Sequence, residues 1–164
     1  MPIPKTIRGA IIGLVAGLGL TVLAACNGSV GPDQDGLIGT WVQDGAAQTD
    51  AALVVENAVV TYAPDGLSDF EADMTLTQPG TAPQTFGIAA DVTWTLEETV
   101  LTRTLRDVRV SPKTATPESE AVARALEEAY RASPPGRLIV EDLDETHLTL
   151  LDADTGATLR YTRR

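Results

Sequence analysis

Along most of this chain, apolar and polar residues alternate with a period of two, the pattern of half-buried β-strands. The most regular stretch is 86–96, where Phe86, Ile88, Ala90, Val92, Trp94 and Leu96 take successive even positions. Phe70, Ala72, Met74 and Leu76 alternate in the same way with acids and threonines. Strands are also predicted over 37–42, 58–63, 99–110, 137–143, 146–151 and 157–162, with Val60 and Tyr62 sharing one face of the second. Pro64-Asp65-Gly66, Glu97-Glu98, Asp144-Glu145 and 152–156 read as turns, and 78–83 as a loop. In 99–110 the parity breaks, since Leu101 and Leu105 are odd while Val108 and Val110 are even. A bulge near Arg106-Asp107 reconciles the two halves.

Residues 116–131 follow a different period. Thr116 can cap a helix and Pro117 suits its first turn. Val122, Leu126, Ala129 and Tyr130 make a narrow apolar stripe, which is expected to lie against strands. Opposite charges four apart (Glu120 with Arg124, Arg124 with Glu128, Glu127 with Arg131) occupy the other side. Ser133-Pro134-Pro135-Gly136 ends the helix. The prediction is therefore an all-β domain: eight antiparallel strands in a meander, with one helix between strands five and six. Such a meander removes its edges by closing into an up-and-down barrel, with a two-sheet sandwich as the alternative.

The first 36 residues lie outside that pattern. Lys5 and Arg8 are basic, no acid occurs before Asp33, and 10–22 is almost wholly apolar but too short to span a bilayer. Leu23-Ala24-Ala25-Cys26 then resembles the lipobox of bacterial lipoproteins. That resemblance implies a signal peptide over 1–25, cleavage before Cys26 and a lipid on its thiol, which is the nucleophile such a transfer needs. Buried acyl methylenes, at about 0.8 kcal/mol each, would hold the protein to a membrane. Asn27 stands where an Asp commonly marks inner-membrane retention in such lipoproteins. The implied location is thus the periplasmic side of the outer membrane, with the inner membrane as the lesser alternative. Residues 26–36 read as the lipidated Cys and a flexible tether, and 37–164 as the folded domain.

Gly39-Thr40-Trp41 at the start of the first strand resembles the G-x-W opening of lipocalin-like barrels, and the run from 37 to 163 resembles small lipocalin-like bacterial lipoproteins. The resemblance implies a barrel floor closed by Trp41, with Gly39 leaving room and Arg163 packing across the indole. It also implies a non-enzymatic module that binds a small hydrophobic or amphipathic molecule. Two features depart from the family. No disulfide can form from one Cys, and the main helix interrupts the strands where lipocalins usually carry theirs after them.

Composition narrows the chemistry. At 43% hydrophobic and 21% charged the chain is globular in type, and 164 residues suit one domain. Its 23 acids against 12 bases, net −11, exclude the basic footprint that a nucleic-acid partner needs. His147 is the sole His and falls out of phase with Leu148 and Leu150, so it is expected in solvent, and no G-x-S-x-G elbow accompanies it. Neither a catalytic set nor a metal or cofactor site is predicted. Asp152-Ala153-Asp154-Thr155-Gly156 opens like a calcium loop but lacks its later ligands, and reads as a hairpin turn.

The candidate interior or ligand-lining set is Phe70, Met74, Phe86, Ile88, Val92, Trp94 and Arg103. Arg103 shares a strand face with Leu101 and Leu105, so an inward guanidinium would need a carboxylate or an anionic ligand. The apolar members can either fill the barrel or leave space for one small molecule. A rival function is a protein-interaction module of the envelope, such as an accessory factor or a periplasmic protease inhibitor. The protein partner is unknown. Cys26→Ser is expected to abolish membrane partition, and a variant that still sediments with envelopes after high-salt washing would show that no lipid holds it.

Overall fold

A computed structural model describes residues 32–50 and 52–164. The lipobox residues Leu23, Ala24, Ala25 and Cys26, the signal segment and the first half of the tether lie outside the described residues. A short helical turn, α1 (Gln34–Leu37), precedes the strands β1 (Gly39–Gln43), β2 (Ala47–Asp50), β3 (Leu53–Tyr62), β4 (Leu67–Leu76), β5 (Gln84–Glu97) and β6 (Val100–Pro112). Helix α2 (Pro117–Arg131) follows, and β7 (Gly136–Leu143), β8 (His147–Asp152) and β9 (Thr158–Arg163) complete the fold.

Every neighbouring strand pair is antiparallel, and β1 pairs with both β9 and β3, so the sheet closes. β1 flanks the lower part of β3, at Val59–Tyr62, while β2 flanks its start at Leu53–Val55. The two short strands thus form one broken stave, and eight staves make the barrel. Helix α2 enters between the fifth and sixth staves, β6 and β7.

Two predicted boundaries are corrected. Leu37 belongs to α1 and not to the first strand, because Asp33 caps the turn by accepting from Asp35 N–H and Leu37 buries its side chain. The second predicted strand starts five residues earlier, at Leu53, and β2 was not predicted at all. In β3 the cause is a bulge between Glu56 and Val59, where Asn57 takes φ 54°. It moves the inward residues from Leu53 to Ala58, Val60 and Tyr62, so neither parity runs through the whole strand. The expected bulge in β6 is present: Asp91 pairs with Asp107 and Val92 with Leu105, leaving Arg106 extra.

The staves are unequal, and this decides where the helix goes. β6 runs 13 residues, but β7 pairs with it only from Val100 to Arg103. Above that point β6 has a free edge. Helix α2 lies there, fixed by its cap: Thr116 accepts from Ser119 N–H, and Ser119 Oγ accepts from Thr116 N–H. Two of its side chains take over the missing ladder. Glu127 accepts from Val110 N–H at 2.9 Å, and Arg131 donates to Val108 C=O at 2.9 Å. Of the three predicted pairs, Glu127 and Arg131 form an ion pair, at 3.3 Å, while Arg131 also approaches Asp107 at 3.6 Å. Ala123 and Leu126 are buried against Leu53, Met74, Leu76, Phe86 and Val110, so the helix roofs the long half of the barrel.

The core accordingly has two parts. One sits at the floor around Trp41, Tyr62, Trp94, Leu101, Leu148 and Leu150. The other sits under α2, and Phe70 touches both. Glu127→Ala should strand the Val110 amide at an uncovered edge. We expect a loss of about 1–2 kcal/mol and faster hydrogen exchange at Val110, with exchange at Ile88 much less affected. Unchanged exchange at Val110 would show that the carboxylate does not cap the edge.

Candidate functional site

Arg163 and Trp41 are direct cross-strand partners in the β1–β9 pair. The guanidinium carbon lies 4.1 Å from the centre of the indole, a cation–π contact. Its donors reach three different segments: Nε to Glu145 C=O at 2.7 Å, Nη1 to Ile38 C=O at 2.6 Å, and Nη2 to Gly36 C=O. Trp41 is wholly buried and donates its indole N–H to Leu37 C=O at 2.8 Å. Gly39 has φ 136°, and a Cβ there would fall 2.5 Å from Arg163 Nη1, so both the backbone and the arginine require glycine. Arg160, of the opposite parity, is exposed.

Above this floor lies a cavity of about 290 Å³. Its inner wall is Phe70, Ile88, Ala90, Val92, Leu105, Val108, Leu138, Leu159 and Tyr161. Its rim is the end of α2 and the segment after it (Tyr130, Ser133, Pro134, Gly136), the β8–β9 turn (Asp152, Asp154), the β1–β2 corner (Gln43, Ala47) and Arg137. The opening therefore lies at the end where β7, β8 and β9 stop short.

All seven candidate interior residues lie on the inward face, but only Phe70, Ile88, Val92 and Arg103 line the cavity. Met74 and Phe86 are covered by α2, with Tyr130 Oη 3.7 Å from Met74 Sδ. Trp94 packs edge-on to Tyr62, ring centres 5.4 Å apart, and donates to Leu67 C=O. These three are core. Tyr161, Leu159 and Tyr130 line the space without having been singled out for it. For Tyr130 the usable signal was its place on the apolar stripe of the helix; for Leu159 and Tyr161 it is their shared parity with Arg163 on β9.

Arg103 projects into this apolar space from β6. It is half-buried, and its guanidinium carbon sits 5.4 Å from the Phe70 ring centre. Among the described residues it has no ion-pair partner and no hydrogen bond. Two tyrosines feel its charge. Burial raises Tyr62, with Arg103 opposing, and burial pushes Tyr161 up to about 12, again against Arg103. The Tyr62 hydroxyl is buried without a hydrogen-bond partner, as is the hydroxyl of Ser68, its cross-strand neighbour.

The other candidate residues lie elsewhere. His147 is exposed at the floor end, where Thr146 Oγ1 and Asp144 meet its Nδ1 at 2.8 and 3.4 Å. Asp144 accepts from the backbone N–H groups of Thr146 and His147, which holds its carboxyl down at about 2. Asp152 accepts from Asp154 and Thr155 N–H, the geometry of a turn. Among the described residues no cluster of three His, Cys, Asp or Glu could hold a metal ion.

No family model and no curated protein matches the chain. Among solved structures it is similar to a lipocalin-like protein from Bacteroides uniformis, with 19% identity and a TM-score of 0.37, covering 79% of this chain and 98% of that one. The barrel assignment rests on the strand pairings and not on this likeness.

A double-mutant cycle between Trp41→Phe and Arg163→Gln is expected to give a coupling energy of about 0.5–2 kcal/mol. A coupling of zero would reduce the floor contact to coincidence.

Proposed function

We propose that the chain is a lipid-anchored envelope lipoprotein, held through Cys26 on the periplasmic side of the outer membrane, whose barrel carries one small apolar or amphipathic molecule without transforming it. The observation that supports binding is the cavity. An eight-stave barrel of this size can be filled by its own side chains, yet here a space of about 290 Å³ remains. That is near the lower bound of the roughly 300–1,000 Å³ typical of ligand pockets, and its inner wall is mostly aliphatic and aromatic. The uneven staves leave an entrance at the end opposite the floor, so a molecule could enter without breaking the ladder.

A docking module for a protein partner has less support. Among the described residues Leu67 is the one exposed large hydrophobic, at 38% exposure, so no apolar patch of interface size is present. The anchor rests on the lipobox resemblance, and the outer-membrane side on Asn27.

Native mass spectrometry of the protein extracted from its own membrane tests both parts at once. The expected spectrum shows the mass of an acylated chain starting at Cys26, with a second, dissociable small molecule on a fraction of it. Ala90→Phe, which fills the cavity from β5, is expected to remove the second species and leave the first. Retention of the small molecule by the filled variant would place it outside the barrel.

A further inference from the structure

The cavity contains a feature that an apolar ligand alone does not explain. A guanidinium half removed from water, with neither a carboxylate nor a carbonyl to accept its hydrogen bonds, is unfavourable. Its contact with the Phe70 ring recovers only part of what hydration would give. A leucine at 103 would pack on Leu105 and Val92 with no such penalty. Tyr161, whose hydroxyl has no hydrogen-bond partner among the described residues, lines the same cavity as Arg103. A cation and a phenol without partners, facing one apolar cavity, form an incomplete hydrogen-bonding set. One acceptor-only group with a single negative charge completes it.

Building on the small-molecule reading above, we propose that Arg103 is the head-group site for a monoanionic, single-tailed amphiphile. A carboxylate sits at the guanidinium, and its aliphatic chain lies along Phe70, Ile88, Val92 and Leu105. The cavity volume suits one acyl chain of medium length and is too small for a two-tailed lipid. Charge sets the same limit. The protein carries net −11, so a dianion or polyanion meets an opposing field that a single guanidinium does not offset. Arg137 does not compete for the head group, because it is exposed and shares the rim with Asp152 and Asp154.

The test uses the full chain in lipid nanodiscs, with empty nanodiscs as reference, and equilibrium dialysis of labelled decanoate, decanol and acetate. Decanoate is expected to bind at least tenfold more tightly than decanol, and acetate not measurably, because the head contact needs the tail to bring it in. Arg103→Gln should weaken decanoate about ten- to a hundredfold while leaving decanol within a factor of two. Arg103→Lys should recover part of that loss. Arg103→Leu should melt at a higher temperature than the unaltered protein, which also guards against a folding defect being read as a binding defect. Equal binding of decanoate and decanol, unmoved by Arg103→Gln, would overturn the head-group site and leave the apolar-ligand reading standing. Binding of neither chain would overturn both. Binding of acetate as tight as that of decanoate would replace the amphiphile with a small free anion and overturn the proposal.

Discussion

Arg163 donates to three backbone carbonyls, from α1, from the approach to β1 and from the β7–β8 turn, while it covers the buried face of Trp41. Closing a sheet into a cylinder leaves open ends, and side chains pointing inward at an end have no layer beneath them. A guanidinium meets both needs, since its planar face covers the indole and its edge satisfies carbonyls that would otherwise face a sealed floor. The glycine at 39 is part of the same arrangement, because the space a Cβ would take is occupied by Arg163. With the floor fixed, the Trp41 and Tyr62 layers seat above it. The vacancy in the barrel is thereby confined to the other end.

The unequal staves decide how that other end is used. A barrel of eight long strands would need a long second row of inward side chains to fill it. Here β3 to β6, with β2 beside the start of β3, rise above the rest, and a helix occupies the concave side of that taller wall. The helix buries Ala123 and Leu126, fills one half of the opening and leaves the half above β7 to β9 uncovered. The cavity is what remains between a sealed floor and a half roof. Arg103 sits at the last residue of β6 that still pairs with β7, where ladder gives way to helix.

Much of this was legible from residue spacing. The even run from Phe86 to Leu96 identified the central stave, and the Leu105–Val108 parity break located the bulge that Arg106 occupies. The floor of Gly39, Trp41 and Arg163 came from the resemblance of Gly39-Thr40-Trp41 to a lipocalin-like opening, not from spacing. What escaped was whatever lacks a periodic signal. β2 is four residues beside a corner, and the Asn57 bulge hid the first half of β3 by reversing its faces midway. The division of the inward residues into core and cavity lining could not be read from β4 and β5 at all. It depends on where α2 lands, which is set by the length difference between β6 and β7 and by two side chains reaching a strand edge.

Those two side chains give the barrel wall an unusual character. Elsewhere the staves are joined backbone to backbone, in a ladder largely indifferent to which residues compose it. Along upper β6 the hydrogen-bonded joint is made by a carboxylate and a guanidinium, so it depends on the side chains at 127 and 131. Inheritance therefore acts differently on the two kinds of seam. Most substitutions leave a ladder in place, but a single base change at either codon can loosen the helix without breaking a strand pairing. The width of the barrel's mouth is thus open to selection in small steps, separately from the integrity of the barrel.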